Sequence, residues 1–380
     1  MATSPKAQQH HSPPPQVLDQ NASAAEGELQ DSVQRTCSGA CALRAVELLR
    51  SPKDAILRDE LALRMAGPRM LRWFGERWDA WEAAEGPGKH SYFAGRARVL
   101  DELVQEAAAA LAARTGDHAS APPGAPVDEA SGGGGSEAGG SGGSGDLCVQ
   151  VVSLGCGMDT RPWRLGGLPA GTAWFDVDQA PVIELKDRFL REAGAELGPS
   201  AAASGGGGSG SQQGAEAGAA FTLKCSSYRQ VVSDLSQPGL QQQLEAAGFD
   251  PALPTLWVLE GLCYYLPLDA NARLLADAAA ASPPGSRLLA THIPRENLDA
   301  NRACQPGVSA LGGLFTVCID DVQADGMLGR AGWGDVVVSG DIGEEVVSRF
   351  GVESYYPYSL EYSGGRKLGG IEVILQAVRL

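Results

Sequence analysis

Apolar and polar positions along the chain follow two periods, one typical of buried strands and one typical of helices. Continuous apolar runs with β-branched residues predict strands buried on both faces, as in a parallel sheet. The clearest is Val149–Leu154, which contains three valines and is followed by a Gly-Cys-Gly turn. The same pattern predicts strands at Thr172–Asp178, Ala220–Cys225, Thr255–Glu260 and Ser286–Thr291, and a β-rich run at Ile371–Leu380.

Stretches with apolar residues at helical spacing precede the first strand and separate the later ones. They predict helices at Ser32–Arg50, Asp59–Ala66 and Tyr92–Arg114, near Pro181, within Val231–Ala247, and at Leu268–Ala281. Strands that alternate with helices favour an α/β fold with a doubly wound, mostly parallel Rossmann-like sheet. We expect the N-terminal helical segment to pack on the flank of this sheet or to cover its carboxyl edge.

Three stretches have compositions that do not support a packed core. Residues 1–31 are predicted to form a disordered tail, and the inserts at about 115–146 and 196–219 are rich in Gly, Ser and Ala. Because few apolar side chains are present to offset the entropy of ordering, both inserts are expected to be flexible. The remainder of residues 32–380 is predicted to form one domain.

The chain is acidic, with a formal net charge of −16 at pH 7. This charge disfavours nucleic acid and anionic membranes as partners, since both attract cationic surfaces. No apolar run reaches the ~18 residues of a membrane-spanning helix, and we expect a cytoplasmic location. The eight cysteines form no CxxC pair, which favours reduced thiols, and no metal site is predicted.

Candidate chemistry lies at the predicted carboxyl ends of the strands, where open parallel sheets bind their ligands. A carboxylate at the end of the second strand accepts two hydrogen bonds from a ribose diol, which indicates a nucleotide-type cofactor. The residues at these strand ends are Gly155, Gly157, Asp176, Asp178, Asp234, Leu235 and Glu260.

The glycine pattern separates two cofactors that both contain ribose. An NAD fingerprint requires a third glycine three residues after Gly157, but position 160 is Thr. Asp159 would also repel a pyrophosphate, whereas a cationic sulfonium without phosphate tolerates it. S-adenosylmethionine is therefore favoured. An NAD-dependent oxidoreductase on a Rossmann fold and a non-catalytic cofactor-binding scaffold are the alternatives.

Four motifs resemble those of one known family. The run LGCGMDTRPWRL from Leu154 resembles the signature of the leucine carboxyl methyltransferase family and of its S-adenosylmethionine-dependent methyltransferase relatives. The runs FDVDQAP from Phe175 and PTLWVLEGLCYYLP from Pro254 are similar to the family's second-strand and fourth-strand motifs. Upstream, YFAGRAR from Tyr92 is similar to its arginine-bearing helix. The resemblance extends, with interruptions, from Ser32 to Pro267.

The resemblance implies S-adenosylmethionine as the cofactor and a contact with it for each motif residue. Arg96 would pair with the carboxylate of the methionine moiety, with Arg98 as the alternative. Asp178 would hold the ribose, with Asp176 as the alternative. The remaining implied contacts are those of Gly155 and Gly157 with the methionine moiety, of Asp234 and Leu235 with the adenine, and of Glu260 near the sulfonium.

The resemblance also implies an O-methyltransferase that acts on a carboxylate, either of a protein C-terminus or of a small-molecule acid. Such an acceptor is already ionised, so catalysis would depend on positioning and no catalytic side chain is assigned. A hydroxyl acceptor would need a base, and His292 lies at the end of the fifth predicted strand. Tyr265 is the other predicted substrate contact.

Overall fold

The computed structural model describes residues 32–119, 148–198, 220–303, 314–355 and 372–380. The predicted tail and most of both predicted inserts lie outside these residues. The described end of the first insert, residues 115–119, is helical. Within the described ranges, every helix is too short or too polar to cross the hydrocarbon core of a bilayer.

A seven-stranded sheet forms the centre of the fold, and a two-stranded sheet accompanies it. The described strands are β1 (His90–Ser91), β2 (Val149–Leu154), β3 (Thr172–Asp178), β4 (Ser227–Val232), β5 (Thr255–Leu259), β6 (Arg287–His292), β7 (Trp333–Asp341), β8 (Ser354–Tyr355) and β9 (Val373–Arg379). The large sheet has the order β4-β3-β2-β5-β6-β9-β7, and β1 pairs with β8. Strands β4 to β6 in this order are parallel, and β9 runs antiparallel between β6 and β7. The predicted fold class is confirmed.

The helices cover both faces of the large sheet. They are α1 (Ser32–Arg50), α2 (Glu60–Met65), α3 (Gly67–Glu85), α4 (Tyr92–Ala119), α5 (Arg161–Arg164), α6 (Ala180–Glu192), α7 (Leu240–Ala246), α8 (Leu268–Ala280), α9 (Arg295–Ala303), α10 (Ile319–Asp325), α11 (Met327–Ala331) and α12 (Ile342–Phe350), with a 3₁₀ turn at Cys263–Tyr265. The α6 helix begins with Pro181 in its first turn, where proline loses no hydrogen bond. Asp59 caps α2 by accepting a 2.9 Å hydrogen bond from the Ala62 amide.

Two apolar cores lie on opposite faces of the sheet because successive residues of a strand point to opposite sides. The first core lies on the side of α1, α4 and α6 and includes Val149 and Val151 of β2. The second core lies on the side of α7 and α8 and includes Val152 and Leu154. The N-terminal helices pack on the sheet and also reach its carboxyl edge. The α4 helix packs against β2, β5 and β6, and α1 residues such as Cys37 reach the carboxyl edge of the sheet.

The third strand differs from the prediction. The strand lies at Ser227–Val232, and the predicted segment Ala220–Cys225 makes only an isolated bridge between Phe221 and Ala195. The apolar side chains of this segment are half-buried against the flank of the first core, which explains their alternating pattern. In the observed strand, Tyr228 is 3% exposed and packs on Trp163 at a ring distance of 4.7 Å.

Candidate functional site

The turn that follows β2 requires glycine at two positions. Gly155 and Gly157 have φ angles of +65° and +45°, which side chains of L-residues rarely adopt. A Cβ at Gly155 would lie 2.9 Å from Leu262 Cδ1, and a Cβ at Gly157 would lie 2.9 Å from Cys37 Cβ. The two glycines therefore let neighbouring segments approach the turn closely at the carboxyl edge of the sheet.

The two carboxylates of β3 have different surroundings. Asp178 accepts 2.8 Å hydrogen bonds from the backbone amides of Gly157 and Gln179, so it lies beside the glycine turn. Asp176 is fully buried and is contacted by Lys186 Nζ at 2.6 Å and by the Tyr228 hydroxyl at 2.7 Å. Asp176 thus belongs to a structural ion pair, and Asp178 is the acid that faces the turn.

A cavity of about 280 Å³ opens beside Asp178. Leu235, which is buried, lines it together with the exposed Asp234. Asp234 Oδ1 accepts hydrogen bonds from the amide and the hydroxyl of Ser236. The cavity is lined by residues from α1, the glycine turn, the end of β3, and the loops after β4 and β5: Thr36, Cys37, Gly155, Gly157, Asp178, Gln179, Val182, Ser233, Asp234, Leu235, Ser236, Gly261, Leu262, Tyr265, Leu266 and Pro267.

A second cavity of about 120 Å³ adjoins the first across the glycine turn. Both cavities are lined by Thr36, Cys37, Gly155, Gly157, Gly261 and Tyr265. We call the two cavities together the cleft. The second cavity is charged and aromatic, and its other lining residues include Arg44, Phe93, Arg96, Asp159, Arg161, Arg164, Glu260, Tyr264, Phe315 and Glu372.

Arg96, and not Arg98, faces the cleft. Arg96 is buried, and its Nε and Nη1 atoms lie 3.0 Å from Glu260 Oε1 and 2.7 Å from Glu372 Oε2. Burial acts to lower the pKa of Arg96, but Glu372 and Glu260 raise it well above its usual value. The side chain of Arg98 is 40% exposed and pairs with Glu102 at 3.0 Å, which directs it away from the cleft.

Glu260 joins two buried arginines at the carboxyl end of β5. Its Oε1 lies 3.0 Å from Arg96 Nε, and its Oε2 lies 2.8 Å from Arg161 Nη2. Burial acts to raise the pKa of Glu260, but Arg161 and Arg96 lower it to about 2. The carboxylate is therefore ionised at neutral pH, which suits a neighbouring cationic group.

A buried ion-pair network surrounds this end of the cleft, and the motif pattern did not indicate it. Arg161 is 2% exposed and contacts three carboxylates. Besides Glu260, its Nε lies 2.8 Å from Asp101 Oδ1 and its Nη1 lies 2.9 Å from Asp159 Oδ2. Arg164 also pairs with Asp101. These contacts fix the turn after β2 to helix α4.

The network continues into the first two helices through Asp59. This fully buried carboxylate lies 3.1 Å from Arg44 Nε and 3.4 Å from Arg164 Nε. Its Oδ2 also accepts a 2.7 Å hydrogen bond from the Thr160 hydroxyl, and Arg44 Nη2 donates to the Met158 carbonyl at 2.6 Å. The α1 helix is thereby held against the glycine turn.

His292 lies outside the cleft. Strand alternation places it on the face of β6 that carries Leu288 and Ala290 in the second core, whereas the Thr291 hydroxyl accepts from the Gly261 amide at the cleft. Burial lowers the pKa of His292 to about 4, so its ring is neutral at pH 7. His292 ends β6 as predicted but lines neither cavity, and its role as a base stays a prediction.

Acid should destabilise the protein through Glu260. Its folded-state pKa of about 2 lies below the usual value, so its contribution to stability is present above about pH 4.3 and is lost as the pH falls towards 2. Denaturant titrations at pH 7, 5, 4 and 3 should show the free energy of unfolding decreasing most below pH 4. In Glu260→Gln this decrease should be smaller, and an identical pH dependence of variant and wild type would contradict the expectation.

Comparison with known proteins places the resemblance on three of the four motifs and leaves the motif that begins at Tyr92 outside it. Residues 141–279 match the family model of leucine carboxyl methyltransferase. These residues include the glycine turn, Asp178, Asp234, Leu235 and Glu260, but not Arg96. The resemblance to this family is confirmed over that range.

Several relatives carry the name "Putative S-adenosyl-L-methionine-dependent methyltransferase". One from Mycolicibacterium smegmatis is 41% identical over 144 residues, which are 38% of this chain and 39% of that protein. One from Mycolicibacterium vanbaalenii is 38% identical over 149 residues, 39% of each chain. One from Mycobacteroides abscessus is 38% identical over 155 residues, 40% of this chain and 41% of that protein. The matched segment thus spans about two fifths of each relative.

A solved structure, magnesium protoporphyrin IX methyltransferase from Synechocystis PCC 6803 with bound SAH, is similar at a TM-score of 0.34. Its identity to this chain is 14%, and the alignment covers 81% of this chain and 95% of that one.

Proposed function

We propose that this chain, which resembles leucine carboxyl methyltransferases over residues 141–279, is an S-adenosylmethionine-dependent methyltransferase. The observation that carries the proposal is the cleft across the glycine turn. Asp178 lies at one end of it, and the ion pair of Arg96 with Glu260 lies at the other. Carboxyl edges of open parallel sheets are where such folds bind nucleotide-type ligands.

The side chains of the cleft fit the parts of this cofactor. At one end, Asp178 offers a carboxylate to the ribose diol, and the apolar Leu235 and Leu262 offer a surface for the adenine. At the other end, ionised Glu260 suits the ammonium group and Arg96 suits the carboxylate of the methionine moiety. When bound, S-adenosylmethionine supplies a methyl group that its sulfonium has already activated.

Asp159 argues against the dinucleotide alternative. Its carboxylate lines the cleft next to the glycine turn, and burial acts to raise its pKa while Arg161 and Lys186 hold it well below its usual value. The group is therefore anionic at neutral pH. A pyrophosphate placed at this turn would meet an acid instead of a third glycine.

The acceptor we propose is a carboxylate, of a small-molecule acid or of a protein C-terminus. Among the described residues that line the two cavities there is no histidine, and Glu260 is held ionised between two arginines. An acceptor that arrives ionised needs no proton removed. The chain's contribution is then to position the acceptor, with Tyr265 at the junction of the two cavities, and to exclude water beneath α1.

Two experiments test the proposal. Calorimetry should show binding of S-adenosylhomocysteine and none of NADH, and the reverse preference would overturn the cofactor assignment. Incubation with S-adenosylmethionine carrying a radiolabelled methyl group should then transfer label from the donor to protein or to the acidic small-molecule fraction of a cell extract. Cofactor binding without label in either fraction would support the non-catalytic scaffold.

Asp178→Ala should weaken S-adenosylhomocysteine binding at least about tenfold, because a charged acceptor for the ribose hydroxyls is lost. Isothermal calorimetry at pH 7 measures this directly. Asp178→Asn, which keeps one acceptor oxygen for the Gly157 amide, should weaken binding less. The matched control is Asp187→Ala on α6, which removes an exposed pair with Arg191 and should leave the Kd unchanged. Unaltered binding in both Asp178 variants would reject this site.

A further inference from the structure

Glu372 is a buried carboxylate that four donors surround. Its Oε2 accepts from Arg96 Nη1 at 2.7 Å and from the Tyr92 hydroxyl at 3.0 Å. Its Oε1 accepts from the Tyr264 hydroxyl at 2.9 Å and from the Thr291 hydroxyl at 3.2 Å. These donors come from α4, the 3₁₀ turn after β5, and β6, so one side chain joins three elements at the methionine end of the cleft.

Two carboxylates fix the plane of the Arg96 guanidinium. Glu260 holds Nε and Glu372 holds Nη1, while Nη2 has no hydrogen-bond partner in the part of the chain that the structure describes. A Cβ built on Gly261 would lie 3.6 Å from this Nη2, which places the atom at the wall of the cleft. Because a guanidinium is planar, the two contacts determine where its remaining donor points.

Glu260 cannot hold this orientation by itself. It shares its second oxygen with Arg161 Nη2 at 2.8 Å, so it meets Arg96 through a single contact at Nε. One contact leaves the guanidinium free to rotate about that bond. Glu372 supplies the second contact from the other side, and it lies 276 residues along the chain from Arg96.

We propose that Glu372 is a positioning residue, which aims Arg96 at the carboxylate of the cofactor's methionine moiety. The inference rests on the proposed function and extends the site to the start of β9, outside the residues that match the family model. If Glu372 positions Arg96, its removal should weaken binding of the ligand carboxylate. An effect of charge alone would strengthen that binding, because removing an acid beside Arg96 leaves more positive charge for the carboxylate. The two explanations therefore differ in the sign of the change in affinity.

The test compares two ligands on Glu372→Gln. Gln carries no charge and has one acceptor oxygen in place of two, so the charge-assisted contact that holds Arg96 Nη1 is weakened even where that oxygen faces Arg96. We expect S-adenosylhomocysteine to bind about tenfold more weakly by calorimetry. Binding of 5′-methylthioadenosine, which lacks the amino-acid part and its carboxylate, should change less than about twofold. A merely structural role would weaken both ligands alike.

Further variants separate positioning from loss of fold. Glu372→Asp keeps the charge but shortens the side chain, and it should show the same selective loss. In an Arg96→Leu background, Glu372→Gln should have no further effect on S-adenosylhomocysteine binding. Ser282→Ala, which removes the buried acceptor of Trp257 Nε1, is the control for lost stability and should leave both affinities unchanged.

The outcomes distinguish this inference from the proposed function. A wild-type chain that binds neither ligand overturns the proposed function. A wild-type chain that binds both, with Glu372→Gln weakening both equally or strengthening S-adenosylhomocysteine, overturns the positioning role alone.

Discussion

Replacing Lys186 by methionine should lower the free energy of unfolding by about 3–5 kcal/mol, because it leaves a buried carboxylate without its ion partner. Lys186 Nζ on α6 lies 2.6 Å from Asp176 Oδ2 on β3, and both side chains are fully buried. Burial acts to lower the pKa of Lys186, but Asp176 raises it, so the ammonium stays charged. Denaturant titration at pH 7 measures the loss.

The double variant Asp176→Asn, Lys186→Met is the matched control for this first prediction. It should recover part of the loss, because no buried charge remains and the amide can accept from Trp174 Nε1 and donate to the Tyr228 hydroxyl. The single variant should also lose more stability at pH 8 than at pH 5, since a buried Asp176 with a raised pKa is protonated more readily at low pH. A double variant as unstable as the single one would contradict the ion-pair explanation.

Arg161→Gln should lower the free energy of unfolding by a similar amount, about 3–5 kcal/mol, and should change how stability responds to pH. The substitution leaves Asp101, Asp159 and Glu260 without the cation that they share. Burial acts to raise the pKa of Asp159, and Arg161 is the cation that pairs with it, so the variant should gain stability relative to the wild type as the pH falls from 7 to 5. In the wild type, Arg161 holds the pKa of Asp159 well below its usual value, so Asp159 contributes its full stabilisation over that range.

The control for Arg161 is Arg191→Gln. Arg191 pairs with Asp187 on the surface of α6, where its side chain is 61% exposed, and its loss should change stability by less than about 0.5 kcal/mol. Denaturant titrations of both variants at pH 7 and pH 5 measure the difference. If Arg161→Gln is no less stable than Arg191→Gln, the network around the cleft does not stabilise the fold.

The two ends of the cleft come from different parts of the chain. The end that we propose for the adenosine is formed mostly by residues of the segment that matches the family model, including Asp178 and Leu235. The end that we propose for the methionine moiety adds Arg44 from α1, Arg96 from α4 and Glu372 next to β9, all outside that segment. We therefore expect substitutions at these three positions to affect ligands that carry the amino-acid part more than ligands that carry only the nucleoside.

Local patterns were sufficient for the centre of the sheet and for most of the candidate site. Strands β2 and β3 have the predicted bounds because both are mostly apolar and are buried on two faces along almost their whole length. The rule that ligands lie beyond parallel strand ends brought Gly155, Asp178 and Glu260 to one edge. The α3 helix was missed because its Gly67-Pro68 start has the composition of a turn, although proline is tolerated in a first helical turn.

Other features depended on which segments meet in space. Asp176 and Asp178 lie on the same face of β3, so strand alternation could not show which of them faces the glycine turn. The ion pair of Asp176 with Lys186 on the next helix leaves Asp178 as that acid. His292 satisfied the strand-end rule, yet it lines neither cavity, and its ring is buried 6.3 Å from the ring of Tyr264. Each charge of the network around Arg161 resembles, in isolation, a solvated surface charge.

The sequence by itself determined the fold class, the order of the central strands along the chain and the edge where the cleft lies. It did so because the spacing of buried residues in a strand or helix depends only on neighbouring positions in the chain. Only the tertiary structure decided which acid faces the turn, which arginine faces the cleft, and that Glu372 contacts Arg96. Those choices depend on ion pairs between distant segments, and the spacing of apolar residues along the chain does not show which charged residues will meet.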